Sequence, residues 1–452
     1  MLCNLHHDAR RPPRAPTLRP MPTRTGSRRL WTACAVWLGL ALTGCASYPE
    51  QVAGAIDDLS QGRFEDAATI LEDSPGFLGR AEAGTVRLIA GDWKAAQADL
   101  LAAAEIVEEI EDRGPLGRKQ LTEDVGTLLV NERVATYEGE GFERVQVHAM
   151  AALAFLAQGR LDSVGVEIKR ANRILENEEE LYDTEYRAGG LGHFLSALAY
   201  ELRGDLGDAL IDYRRMDEKG LASSLVGPEL LRLATRLDRE DLLPELTERF
   251  GDAPTVDRDH ARVVLIAGVG LAPVKVEEAL RLPTSDGIVA FAVPTFVARA
   301  QPVSALDLSL VEVGAEARTA VIEDLGRIAE RNLEDRMAAL SLRSAARAGG
   351  RVALAKNLRD SDEDLAALAV DIFSLLAEQA DLRSWMTLPD SWQAAQIWVP
   401  PGVHTIEIDA IGGQSAHMGA VELAPGETVV VLARTVDRSL FAHLLGGGTV
   451  EP

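Results

Sequence analysis

The spacing of apolar residues divides the chain into a helical front half and a back half that contains strands. From Gln51 to about Phe250, apolar positions recur at the three- and four-residue spacing of amphipathic helices. Near Asp252 the pattern changes to short β-branched runs bounded by glycine, which is typical of buried strands. We therefore expect a mainly α protein with a β-containing C-terminal half.

A recurring phrase of glycine followed by acidic and small residues marks turns in the helical half. It begins at Gly62, Gly91, Gly159 and Gly204. Glycine can end one helix in a left-handed turn, and an acidic residue can cap the next helix. The phrase resembles the second half of a tetratricopeptide (TPR) repeat, although its spacings of 29, 68 and 45 residues are irregular. We expect a TPR-like helical repeat solenoid over residues 51–251.

The best-formed helical pair is Phe142–Ala157 with Leu161–Leu175. The second helix has a single apolar stripe, whereas the first is apolar on more than one side. A helix that is apolar on more than one side, as Phe142–Ala157 is, must be covered by neighbours on two sides, as stacking in a solenoid requires.

The back half is predicted as an α/β region over 252–390, a small antiparallel β-domain over 391–443 and a loose tail over 444–452. The strands and helices expected in the α/β region are Arg262–Ala267, Gly287–Val293 and Leu306–Val313, then helices Thr319–Leu333, Glu334–Leu358 and Asp362–Gln379. The strands expected in the β-domain are Gln393–Val399, His404–Ala410, Met418–Leu423 and Val429–Ala433.

The N-terminal stretch has the pattern of a secretory signal. The basic pair Arg28-Arg29 precedes an apolar run, Leu30–Leu42, which is too short to span a bilayer as a permanent helix. The run ends in Leu42-Thr43-Gly44-Cys45, which resembles a bacterial lipoprotein signal. The resemblance implies removal of residues 1–44, acylation of Cys45 and a lipidated tether over 45–50.

The residues around this signal refine the expected location. Ala46 and Ser47 are not Asp, which by resemblance to the usual sorting rule favours the outer membrane. Residues Met1–Pro20 are rich in Arg and Pro, and a start at Met21 would give a leader of ordinary length. A plain secreted protein and an uncleaved anchor are the alternatives.

Charge and cysteine content narrow the possible partners. The chain carries a net charge of −24, and a leader with seven Arg and one Asp leaves about −30 for the mature part. Such an acidic body repels nucleic acid, so we expect no nucleic-acid partner. Of Cys3, Cys34 and Cys45, only Cys45 would remain after cleavage, so no disulfide is expected.

Motifs for chemistry are weak, and we predict no catalytic residue, no cofactor and no metal site. Gly268-Val-Gly270 lacks the third glycine of a dinucleotide loop, since position 273 is Pro273, so a turn is expected. Lys275, just beyond, could bind an anion, but a single residue without a partner favours a solvated side chain. Gly413–His417 lacks the final glycine of a nucleophile elbow, and the six mature histidines are scattered.

The most distinctive phrase of the chain is Ala380–Pro389, which contains Trp385 and is closely followed by Trp392. The two tryptophans could line a groove, but we expect them to be buried where the last helix joins the sheet. Three phrases, Leu88–Trp93, Gly270–Lys275 and Ala380–Pro389 with Pro400–His404, together resemble an uncharacterised family of Gram-negative lipoproteins with a TPR-like front half. The resemblance implies no known activity and an association with lipoprotein activators of peptidoglycan synthesis.

We therefore expect a periplasm-facing scaffold that binds one or more envelope proteins and is held to the outer membrane by the lipid on Cys45. One alternative is an enzyme that acts on an envelope glycan through a carboxylate pair in residues 260–360. Another is a structural subunit of an outer-membrane complex. The step from fold to function rests on analogy.

Overall fold

The computed structural model describes residues 47–112, 137–182, 188–252, 255–257, 259–284, 287–335, 381–445 and 450–451. The chain divides into two units, Met1–Ala46 and Ser47–Pro452, and every described element belongs to the second unit. The predicted signal peptide, Cys45, most of the predicted Glu334–Leu358 helix and all of the predicted Asp362–Gln379 helix lie outside the described residues.

The front half is helical, as predicted. Ten helices precede Gly251 among the described residues. They are α1 (Tyr48–Ser60), α2 (Phe64–Glu72), α3 (Phe77–Ala90), α4 (Trp93–Glu111), α5 (Gly141–Ala157), α6 (Leu161–Tyr182), α7 (Gly190–Arg203), α8 (Leu206–Glu218), α9 (Ser223–Arg236) and α10 (Leu243–Phe250).

The predicted glycine phrases lie at the turns of four helical hairpins. Gly62, Gly91, Gly159 and Gly204 follow the helices α1, α3, α5 and α7, and each has a φ between 69° and 83°. A β-carbon disfavours this left-handed conformation, so glycine is the residue that can end one helix and allow the next to fold back. The paired helices α1–α2, α3–α4, α5–α6 and α7–α8 contact each other along their length.

Helix α5 lies at the centre of the helical layer. Every residue from Gly141 to Leu156 is buried, because α4, α6 and α7 all pack against it. The prediction that this helix is covered on more than one side is confirmed.

The back half contains two five-stranded sheets and a separate hairpin among its described residues. Sheet I has the order β11-β10-β1-β7-β6, sheet II has the order β12-β9-β8-β4-β5, and β2 pairs with β3. The strands are β1 (Ala261–Val269), β2 (Val274–Thr284), β3 (Gly287–Val297), β4 (Leu306–Leu310), β5 (Ala315–Arg318), β6 (Ala320–Asp324), β7 (Ser391–Val399), β8 (Gly402–Ala410), β9 (Ser415–Leu423), β10 (Thr428–Val436), β11 (Ser439–Leu445) and β12 (Val450–Glu451).

Sheet I is covered on both faces, which explains the uninterrupted apolar run of β1. Successive side chains of a strand point to opposite faces. Val263 and Leu265 belong to the apolar core shared with sheet II. Val264 and Ile266 belong to the core shared with the helices. Sheet I is therefore the middle layer between the helices and sheet II.

The four strands predicted in residues 391–443 all form, but they are divided between the two sheets. β8 and β9 pair in sheet II, whereas β7 and β10 flank β1 in sheet I, with β10 parallel to β1. Strands from 252–390 and from 391–443 thus share both sheets. Which strands pair with each other depends on contacts between distant parts of the chain. The alternation of apolar and polar residues within one strand does not determine those contacts.

Several boundaries differ from the predictions. The predicted helix Thr319–Leu333 begins with strand β6, and helical structure is described only from 325 to 335. The predicted strand Leu306–Val313 ends at Leu310 and continues as a 3₁₀ turn. The predicted loose tail contributes Leu444 to β11 and Val450 to a pairing with β9. Neither β2 nor β11 was predicted.

Within the parts of the chain that the structure describes, no helix combines the length and apolar character that crossing a bilayer requires.

Candidate functional site

The loop that carries Trp385 docks on the helical layer. Trp385 and Trp392 are each about 1% exposed, which confirms that they are buried. The ring of Trp385 packs edge-on against Phe77 of α3, with ring centroids 5.9 Å apart. Its Nε1 donates to Thr85 Oγ1 at 3.1 Å, and Trp392 Nε1 donates to Gln146 Oε1 at 3.0 Å. The two indoles therefore join the sheet side of the molecule to α3 and α5.

Glu82 of α3 binds the backbone of this loop. Its carboxylate accepts hydrogen bonds from Met386 N at 2.6 Å and Thr387 N at 2.9 Å, and from the Thr387 hydroxyl. The Tyr48 hydroxyl at the start of α1 donates to the same carboxylate at 3.2 Å. The loop and the first helix thus share one buried acceptor.

Glu143 of α5 makes an equivalent contact one residue earlier in the loop. Its carboxylate accepts from Trp385 N at 2.7 Å, from the Tyr137 hydroxyl at 2.7 Å and from Glu140 N at 2.9 Å. Buried N–H groups need acceptors, because an unpaired one costs about 1–3 kcal/mol. Glu82 and Glu143 supply acceptors for three successive amides, residues 385–387.

Glu323 of β6 forms the corresponding contact from the sheet towards the helices. It accepts from Gly189 N at 2.7 Å and Leu191 N at 3.2 Å at the start of α7, and from Gln146 Nε2 at 3.1 Å. Because the side chain of Gln146 also accepts a hydrogen bond from Trp392, Gln146 connects Glu323 and Trp392 in one hydrogen-bond network across the interface.

Burial raises the pKa of all three carboxyl groups. Desolvation raises the pKa of Glu82 to about 7, against the opposing effect of its hydrogen bonds from Thr387, Met386 and Tyr48. Desolvation also raises the pKa of Glu143 and of Glu323, with Lys275 and the backbone amides of residues 189 and 191 respectively acting in the opposite direction. These groups therefore hold protons at pH values where an ordinary glutamate is ionised.

Lys275 is buried, so the prediction that it is solvated is wrong. It is 3% exposed, and its ammonium group contacts the Glu140 carboxylate. Its Nζ also lies 5.6 Å from the ring centres of Tyr137 and Phe296. The partner precedes Lys275 by 135 residues, so the local sequence gave no sign of it.

A charged cluster ties the other end of the helical layer to sheet I. Arg262 of β1 donates to Glu201 at 2.9 Å, and Arg232 of α9 donates to Glu229 at 2.8 Å. Both guanidinium groups lie 4.7 Å from the ring of Trp398. Burial alone would raise the pKa of Glu201, but Arg262 and Arg232 hold it below its ordinary value. The two positive and two negative charges balance within the interface.

Two buried histidines of the helical layer, His148 and His193, pair with carboxylates. His148 Nδ1 lies 2.7 Å from Glu167, and His193 Nδ1 lies 3.1 Å from Asp212. In the described ranges, no group of three or more His, Cys, Asp or Glu is arranged to hold a metal ion.

Asp324 and Asp390 form an acidic pair beside the helix that begins at residue 325. Partial burial and the nearby charges of Asp324 and Glu330 raise the pKa of Asp390 to about 6. Asp324 Oδ1 accepts from Arg327 N at 3.0 Å and thereby caps that helix. The alternative enzyme hypothesis placed both carboxylates of its catalytic pair in residues 260–360, and only Asp324 of this pair lies in that range.

A groove lies between α6 and α7 on the helical side. Its volume is about 220 Å³. Its lining includes Asp162, Gly165, Val166 and Lys169 from α6, and Ser196, Tyr200 and Arg203 from α7. A smaller cavity of about 10 Å³ adjoins Arg434 and Trp392 at the interface with sheet I, which is about the space of one water molecule.

The sequence predictions missed Glu82, Glu143 and Glu323. A signal was present for the first two, because Glu82 lies between Ala81 and Ala83, and Glu143 lies in the first turn of a helix that is apolar on several sides. A carboxylate on such a face is costly to bury unless donors meet it. The predicted lipidation site, Cys45, lies outside the described residues.

Comparison with known protein families, with curated proteins and with solved structures finds no match to this chain.

Proposed function

We propose that the chain is a lipoprotein that is held to the outer membrane by acyl chains on Cys45 and acts as a protein-binding scaffold in peptidoglycan or outer-membrane assembly. The observation that carries the proposal is the sequence Leu42-Thr43-Gly44-Cys45 behind a basic pair and a short apolar run. Each buried methylene contributes about 0.8 kcal/mol, so two or more acyl chains give stable anchoring.

The start of the folded body supports a short anchor. Tyr48 is buried, and its hydroxyl binds Glu82. Three peptide steps separate Cys45 from Tyr48, which is a reach of at most about 11 Å. A lipid on Cys45 would therefore hold the first helix close to the membrane surface rather than at the end of a long linker.

The helical layer supports a binding role. Four successive hairpins, each turned at a glycine, are the arrangement from which TPR-like solenoids are built, and such arrays bind proteins along their surface. Val166 and Ile211 are each 49% exposed on these helices, and Leu202 is 36% exposed. The resemblance to the lipoprotein family points to cell-wall synthesis proteins or sister lipoproteins as partners.

The anchor is tested by metabolic labelling with radioactive palmitate in a Gram-negative host. We expect the wild-type chain to be labelled and to sediment with outer membranes, and the Cys45→Ser chain to be unlabelled. An unlabelled wild-type chain that is washed from membranes with salt would overturn the anchor.

The scaffold is tested by site-specific photo-crosslinking in membranes. A photoreactive residue at Val166 should give discrete adducts with one or a few envelope proteins. The control site is Val403 on sheet II, which is 57% exposed. Equal adduct patterns at both sites, or no adduct at Val166, would contradict a scaffold that uses the helical side.

An enzyme that acts on an envelope glycan is the second candidate, and the raised pKa of Asp390 favours it. A carboxyl group whose pKa is raised by burial and by a neighbouring carboxylate is the kind of general acid that glycoside hydrolysis uses. Release of soluble fragments from purified peptidoglycan, abolished in Asp390→Asn and retained in Asp409→Asn, would replace the scaffold with this function. A structural subunit would instead purify as a complex of fixed stoichiometry.

A further inference from the structure

The groove between α6 and α7 contains a glycine for which the protein itself shows no need. Gly165 lies in the interior of α6, where glycine is among the least favourable residues. A β-carbon built on Gly165 would meet no atom within 4 Å. The close approach of α7 therefore does not require this glycine, and its conformation is helical rather than left-handed. What Gly165 does provide is open space along the floor of the groove.

The groove also contains a cation without a salt bridge. Arg203 is paired with Asp162 at 2.9 Å and with Asp205 at 3.2 Å. Arg170, which follows Lys169, is paired with Glu108 and Glu167. The exposed Lys169 has no salt bridge among the residues that the structure describes. The chain as a whole carries a net charge of −24 and repels anions at long range. At short range, however, an unneutralised lysine in a groove attracts a negative group.

The dimensions of the groove favour a peptide segment over a small molecule. Its volume of about 220 Å³ lies below the range of about 300–1,000 Å³ that is usual for small-molecule pockets. Val166 on one wall is half exposed, and the hydroxyl groups of Ser196 and Tyr200 lie on the other. These walls can hold one or two side chains of a longer segment that continues over the helices.

We propose that this groove binds an acidic peptide segment of a partner protein, with a carboxylate of the segment on Lys169 and a small apolar side chain over Gly165. The inference rests on the proposed scaffold function and names the chemistry of the partner. Gly165 then lowers the stability of the free protein and preserves the binding site, as is common where stability and function conflict.

The test uses the full chain purified in detergent and a synthetic library of eight-residue peptides with acetylated and amidated ends. The peptides carry Glu, Gln or Lys at a fixed central position. We expect the best Glu peptides to bind about tenfold tighter than their Gln counterparts, because a charged acceptor strengthens the hydrogen bond. The variant Lys169→Met should abolish this preference.

Gly165→Ala distinguishes a binding role from a structural one. It should raise the melting temperature by about 1–2 °C, because alanine restricts the unfolded chain, and should weaken peptide binding about tenfold, because its methyl group fills the groove. The matched control is Gly207→Ala in α8, where a β-carbon also meets nothing within 4 Å and which does not line the groove. It should leave binding unchanged.

The proposal is overturned if no peptide shows a preference for Glu, or if Gly165→Ala leaves the affinity unchanged. It is also overturned if the wild-type chain self-associates and Gly165→Ala makes it monomeric, because the occupant is then a second copy. If the crosslinked partners persist in Gly165→Ala, the groove proposal is rejected, but the proposed scaffold function is not. If the wild-type chain takes up no acyl label, the proposed lipid anchor is rejected, but the peptide-binding measurement still tests the groove.

Discussion

The two faces of sheet I are buried against different kinds of side chain. The face towards sheet II packs apolar side chains such as Leu265, Leu308 and Ile408. Buried polar side chains on the same face, such as Gln393 and Thr435, are neutral. The interface on the other side, towards the helices, also contains Glu82 of α3, Glu143 of α5 and a balanced set of charges around Arg262. Both interfaces are stabilised by removing apolar area from water, but only the interface with the helices depends in addition on buried carboxylates that can gain or lose protons.

The largest effect is expected from removing an acceptor at the helix–sheet interface. Glu82→Ala should lower the free energy of unfolding by about 3–5 kcal/mol, because the amides of Met386 and Thr387 lose their buried partner. Urea unfolding at pH 7 measures this loss. Glu105→Ala, an exposed glutamate on α4, is the control and should change little. Equal effects in the two variants would contradict the role of Glu82.

A change in the apolar core should be nearly as large but independent of pH. Leu308→Ala should lower the free energy of unfolding by about 3–4 kcal/mol, because it leaves a cavity between the sheets. The loss should be the same at pH 5 and pH 8. A loss that varies with pH would mean that the two interfaces are not separable.

The next effect concerns the pH dependence of stability. Glu82 has a pKa of about 7 in the folded chain and an ordinary value of 4.5 when exposed, so between these pH values the folded state binds more protons. Its contribution is fully present below pH 4.5 and is lost as the pH rises through 7, a change of up to about 3 kcal/mol. The wild-type chain should therefore be more stable at pH 5 than at pH 8.

The variant Glu82→Gln cannot titrate and provides the control for this prediction. Unfolding in urea at a series of pH values should show a flatter profile for Glu82→Gln than for the wild-type chain. A variant profile with the same slope would assign the pH dependence to other groups.

The smallest effect is expected at Lys275. Lys275→Met keeps most of the apolar stem but leaves Glu140 without its cation, and Glu140 is also the N-cap of α5, where the helix dipole stabilises a negative charge. Breaking a buried ion pair typically costs about 3–5 kcal/mol. Here we expect a loss of only about 2 kcal/mol, because the helix dipole continues to stabilise the Glu140 carboxylate by up to about 2 kcal/mol. Calorimetry can measure the loss, and an unchanged stability would mean that Glu140 does not need Lys275.

Local patterns in the sequence predicted the elements that depend on local physics. The glycines at the four hairpin turns, the covered helix α5 and the buried strand β1 each have a signature within a few residues. The burial of Trp385 and Trp392 followed from their size and apolar character.

Features that depend on distant partners could not be predicted in the same way. The parallel pairing of β1 with β10 joins residues that are more than 160 positions apart, as in Arg262 with Thr428. The sequence predicts a solvated Lys275 because its partner Glu140 lies in another element, 135 residues earlier. The lipidation of Cys45 and the outer-membrane location remain predictions from the leader sequence.

The most direct measurement is urea unfolding of the full chain, followed at once by far-UV circular dichroism and by tryptophan fluorescence. The dichroism reports the helices, and the fluorescence reports indoles such as Trp385 and Trp392 at the interface. If buried glutamates fasten the helices to sheet I, both signals should change in one transition, with a lower midpoint at pH 8 than at pH 5. Separate transitions, or a midpoint that rises with pH, would contradict this account.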